Sequence, residues 1–122
     1  MLREGVTPMF WMDASEFEAE VGRVLSELPR SITDRIANVA FEVADGYNKP
    51  NLLGLYRGVP LTRRTTQYAF ALPDMITIYR YPILLRSASL AELRDWVETT
   101  VKHEIGHYFG ISDTRLHELG WA

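Results

Sequence analysis

There is no cysteine in this chain of 122 residues. Disulfides and thiolate metal sites are excluded, so any metal would be held by histidine and carboxylate side chains. Apolar runs are short as well, and none approaches the ~18 residues of a membrane span. Residues 1–12 carry Arg3, Glu4 and Pro8 and lack both a long apolar core and a small-residue cleavage site. They read as a loosely held N-terminal arm, not a signal peptide, and the expected address is cytoplasmic. Internal repeats, linkers and low-complexity tracts are missing too. What is left is globular composition, 47% hydrophobic and 24% charged, sufficient for one domain over residues 1–122 with its own core.

The net charge of −3 is unevenly spread. Between positions 57 and 86 stand Arg57, Arg63, Arg64, Arg80 and Arg86 against Asp74 alone, and both flanks are acidic. A basic block of this kind is first a solvated surface, although it also suits an acidic partner. It does not point to nucleic acid, and nothing else in the chain points to a membrane.

Asp13 and Ser15 are both N-cap candidates for a first helix, in which Phe17, Val21, Val24 and Leu28 recur at helical spacing until Pro29 stops it. Ile36 to Val43 alternates as a half-buried strand should, residues 52–56 form a shorter strand candidate, and residues 67–71 a weaker one. Met75 to Tyr81 is the clearest strand, with Pro82 as its end. Since proline within sheets favours edges, Ile76 to Tyr81 is a candidate edge along which an extended peptide could lie; the alternative is an interior core strand. Ser89-Leu90-Ala91-Glu92 is a capping box opening a long helix. Leu90, Leu93, Val97, Val101, Ile105 and Tyr108 make its apolar stripe, with Trp96, His103 and His107 along the stripe's edge. Trp121 reads as a packed terminal plug.

The long helix ends in the stretch that carries chemistry, residues 103–113, HEIGHYFGISD. Its pattern is HExxHxxGxxD. Histidines four apart project from one helix face ~6 Å apart, close enough for both imidazoles to reach one zinc ion. Glu104 lies between them as a general base for a metal-activated water. Gly110 sits where a C-cap glycine turns the chain back, so that Asp113 can approach the metal. Asp113 has another reading, the N-cap of a last short helix, and His117, one turn further on, competes as third ligand. Zinc on His103, His107 and Asp113 would keep a fourth position for water, the arrangement of catalytic sites. The implied reaction is hydrolysis of a peptide bond, with Glu104 moving the proton from water to the leaving amine. Tyr79, Tyr81 and the arginines of the middle segment are candidates for the oxyanion donor.

With these residues in view, the chain resembles the small bacterial zincin-like metallopeptidases, or minimal zincins, from about Phe17 to Trp121. The matching segments are Leu28-Pro29, residues 38–43 (NVAFEV), 53–61 (LGLYRGVPL), 72–80 (LPDMITIYR), and 103–113 continuing through 115–121 (RLHELGW). The resemblance implies an α+β zincin core cut to its minimum: a small mixed sheet packed on an active-site helix plus an N-terminal helix. It also implies zinc on His103, His107 and Asp113, with Glu104 as base. The glycine and third-ligand spacing is similar to that of metzincins, which use histidine where this chain has Asp113. Metzincins also carry a methionine turn downstream; Met1, Met9, Met12 and Met75 all lie upstream. The sequence stops nine residues after Asp113. The expected cleft is therefore shallow, suited to short or unfolded peptides, or completed by a partner chain or self-association. The competing function is a zinc-bound peptide-binding or regulatory module with little or no turnover; a purely structural zinc domain fits the open ligand set poorly.

Overall fold

Helix α1, Ala14–Glu27, begins where the Asp13 carboxylate accepts a hydrogen bond from the Glu16 backbone N–H at 2.9 Å, so Asp13 is the cap. Ser15 donates to the same carboxylate at 3.0 Å. The computed structural model describes residues 8–36, 38–59 and 73–118. The expectations for residues 67–71 and for Trp121 lie outside the described residues. Phe17, Val21 and Val24 are buried along one side of α1. Leu28, ahead of Pro29, leaves the helical conformation, as the residue before a proline tends to. A single helical turn, α2 (Arg30–Thr33), follows.

Three strands form a mixed sheet in the order β1-β3-β2: β1 is Val39–Ala44, β2 Gly54–Arg57 and β3 Asp74–Tyr79. β1 runs parallel and β2 antiparallel to β3. The edge expected at Ile76 to Tyr81 is not an edge. β3 is hydrogen-bonded on both sides, and Ile76 and Ile78 are 0% exposed, so this is the interior strand. Nor does Pro82 end the strand. It occupies the first turn of a new helix, α3 (Arg80–Leu85), where the missing N–H has no intrahelical partner to lose.

Helix α4, Leu90–Tyr108, starts at Ser89, whose Oγ accepts from the Glu92 N–H at 3.2 Å; the Glu92 carboxylate reaches back to the Ala88 N–H at 2.8 Å. Leu93, Val97, Val101 and Ile105 bury against Ile76, Ile78, Phe17 and Val21, forming the core between the sheet and α1. The other face of the sheet is polar at its centre, where Thr77 donates to Glu42 at 2.7 Å and Arg57 pairs with Glu42 at 3.0 Å. Of the N-terminal arm, residues 8–12 are described. Met12 is buried, and its carbonyl accepts from the buried Arg80 guanidinium at 2.9 Å. Arg80 also binds Asp45 and Tyr47 and lies 5.0 Å from the Trp11 ring centre. Among the described residues, no helix is long and apolar enough to cross a membrane.

Candidate metal centre and cleft

α4 carries His103 and His107 one turn apart, with their rings nearly perpendicular and their Nε2 atoms 3.1 Å apart. Both are half-buried at the rim of the helix. Tyr108 closes the helix, and Gly110 takes a φ of 81°, which only glycine adopts without strain. The Ile111 N–H bonds the Gly106 carbonyl at 3.0 Å and the Gly110 N–H bonds His107 at 2.9 Å, the paired bonds of a Schellman turn. That turn sends the chain back over the end of α4 into α5, Asp113–Glu118. Here Ser112, not Asp113, does the capping: its Oγ accepts from the Arg115 N–H at 3.2 Å. The Asp113 carboxylate faces the imidazoles instead, with Oδ1 3.3 Å from His103 Nε2 and 3.1 Å from His107 Nε2.

Three donor atoms thus stand at mutual separations of 3.1 to 3.3 Å. Donors bound tetrahedrally to zinc at ~2.0–2.1 Å are ~3.3 Å apart, so the triangle matches a single zinc ion. Two neutral imidazoles and one carboxylate are also the donor types that zinc accepts in open sites. His117, the competing ligand, is exposed on α5 and does not line the cleft.

Glu104 points the opposite way from solvent, with 7% of its surface exposed, yet a carboxylate oxygen lies within 4.8 Å of both imidazole nitrogens. Burial pushes its carboxyl up to about 7; a hydrogen bond from the Tyr56 backbone N–H pulls the other way, and the nearby Asp113 charge adds to the rise. Tyr56 belongs to β2, which runs alongside α4. The cleft between them, about 700 Å³, has His103, Glu104 and His107 as its floor and residues 110–113 as one wall.

A family model, zincin-like metallopeptidase, matches residues 29–121. The chain belongs to the zincin-like metallopeptidase family. A comparison with curated proteins finds no match.

In this zincin-like chain the sheet edge beside α4 is β2, not the stretch from Ile76 to Tyr81. Its approach depends on Gly54, a residue whose role sequence reasoning missed. A Cβ there would stand 2.8 Å from Thr100 Cγ2, 3.1 Å from Glu104 Cγ and 3.2 Å from the Thr77 carbonyl. A glycine inside a strand signals such a close approach, but not against which neighbour. β2 is held down by the Tyr56 hydroxyl, which donates to the buried Asp74 carboxylate at 2.6 Å while its ring meets Tyr108 edge-on. Of the expected oxyanion donors, those among the described residues do not line the cleft. Tyr81 is buried against Tyr47, and Tyr79 packs on Gly46. Arg80 is bound to Asp45, Arg57 to Glu42, and Arg86 to the carbonyls of Pro50 and Pro82. Arg63 and Arg64 lie outside the described residues.

Proposed function

We propose that this zincin-like protein is a zinc-dependent peptidase acting on short or extended peptides. The observation that carries the reading is the triangle of His103 Nε2, His107 Nε2 and Asp113 Oδ1 at 3.1 to 3.3 Å, with the buried Glu104 carboxylate beside it. His103 and His107 would hold the metal through neutral nitrogen lone pairs, and Asp113 through one carboxylate oxygen. Zinc, when bound there, supplies Lewis acidity that acidifies a water and polarises a carbonyl. Glu104 accepts the proton of the attacking water and passes it to the leaving amine nitrogen as the C–N bond breaks. Its desolvation raises its affinity for that proton, and the Tyr56 N–H keeps its carboxylate oriented. The adjoining 700 Å³ of open cleft leaves room for an extended peptide alongside α4.

The test is a peptide-library digest by the zinc-loaded chain, with and without chelator, read by mass spectrometry. Cleavage that chelator abolishes is expected. Glu104→Gln should lower it by about 10²–10⁴-fold, the usual weight of a general base, with zinc content by elemental analysis unchanged. A wild-type chain that cuts nothing, or a Gln variant that cuts as well, overturns the peptidase reading and leaves a peptide-binding module.

A further inference from the structure

A second hollow, about 260 Å³, adjoins the cleft on the N-terminal side of His103 and shares Leu52, Gly54, His103 and Glu104 with it. Its walls are Leu52 and Leu53 on the β2 side and Trp96, Thr99 and Thr100 on α4. These walls are built into the fold. Leu53 and Trp96 both pack against the hydrophobic core. The Leu53 carbonyl accepts from the Tyr79 N–H at 2.9 Å, and Thr100 Oγ1 donates to the Trp96 carbonyl at 2.7 Å.

The volume is below the ~300–1,000 Å³ of a pocket that takes a whole drug-sized ligand. It fits one side chain of a molecule whose main chain lies in the cleft. Among the described lining residues there is no lysine or arginine, and the carboxylate present is Glu104. With Glu104 replaced by glutamine, the described lining offers an acidic side chain no cation and a basic one no carboxylate, so either would leave its charge against Leu52, Leu53 and Trp96.

We propose that this hollow is a side-chain recognition pocket for an uncharged apolar residue, of leucine to phenylalanine size, in the peptide that occupies the cleft; the proposal rests on the peptidase reading. Trp96 and Thr99 are its specificity-determining residues.

The experiment uses five peptides, Gly-Gly-Xaa-Gly-Gly with Xaa as Leu, Phe, Gly, Asp or Lys, so that a single side chain sets the register. Binding to the zinc-loaded Glu104→Gln chain is measured by calorimetry, and by the shift of the Trp96 indole N–H resonance. Cleavage of the same peptides by wild type is followed in parallel. The Leu and Phe peptides are expected to bind about tenfold or more tighter than Gly, the weight of apolar side-chain burial in a specificity pocket. Asp and Lys should gain nothing over Gly. Trp96→Ala should remove the Leu advantage. Thr99→Lys, which leaves the core untouched, should make the Asp peptide the best ligand. Equal binding of all five peptides, or preferences indifferent to both substitutions, overturns the pocket while wild-type cleavage keeps the peptidase reading standing. Absence of both binding and cleavage overturns the two together.

Discussion

Asp113 is one residue with two available roles, and its neighbour decides between them. Ser112 takes the helix cap, so the Asp113 carboxylate turns to the two imidazoles at 3.1 and 3.3 Å. Asp113→Ala should therefore weaken zinc binding by more than the about 10–100-fold that loss of an outer-shell partner costs. His117→Ala, on the exposed side of α5, should leave zinc binding unchanged. Competition against a chromophoric chelator measures both, and a larger loss at His117 would reassign the third ligand. Spacing in the chain was enough to nominate both residues, because Gly110 brings either within reach of the helix end. It favoured Asp113 as the nearer of the two but left its role as a cap open, since that choice rests on the Arg115 N–H donating to the Ser112 hydroxyl, which no spacing shows.

Two contacts between elements hold the site in place. β2 lies against α4 at Gly54, where a Cβ would stand 2.8 Å from Thr100 Cγ2. Gly54→Ala should cost about 1–3 kcal/mol through overpacking and reduce peptide cleavage through displacement of Glu104. Thr100→Ser removes the clashing methyl and keeps the hydroxyl, so the double variant should recover part of the stability lost in urea denaturation. On the far side, Glu20 of α1 receives Arg94 of α4 at 2.9 Å and Arg23 at 2.8 Å. Hydrogen bonds from Arg94, with help from Arg23, hold the Glu20 carboxyl below its ordinary value of 4.5. A depressed acid stabilises the fold above its unfolded value and loses that stabilisation as pH falls through the folded one. Glu20→Gln should lower stability at neutral pH by about 1 kcal/mol, Arg94 being partly solvated. The variant should also lose less stability than wild type on acidification below about 4.5; equal acid sensitivity would deny the tie any role.

For the molecule as a whole, a metal on this triangle would join α4 to α5 across the Gly110 turn, so binding and folding are linked. Zinc at a hundred times its Kd should add about 2.7 kcal/mol, which for a chain of this size raises Tm by roughly 10 °C. Calorimetry with zinc and with chelator checks it, and a Tm indifferent to both would mean that the native chain holds no metal. The overall class was readable from the chain: among the described residues, the capped helices, three of the strand segments and the HExxHxxGxxD stretch stand where their patterns put them, within a few residues. The strand order was not. Pro82 suggested an edge for β3, yet its ring is absorbed in the first turn of α3, and β3 lies between β1 and β2.

What could be read from residue order alone is what neighbours along the chain decide among themselves. A helix bond joins positions four apart, a cap reaches three, and a histidine pair meets across one turn. The identity of the metal-site stretch, its glycine turn and its helix follow from such short spans. The rest was decided by partners far apart in the chain. Thr77 meets Glu42 and Arg80 meets Asp45 across 35 positions, and Met12 reaches Arg80 across 68. The pressing of Gly54 onto Glu104, the interior place of β3 and the hollow beside Trp96 belong to this second kind. Each depends on which surfaces pack together to bury the core, a choice that no local spacing encodes.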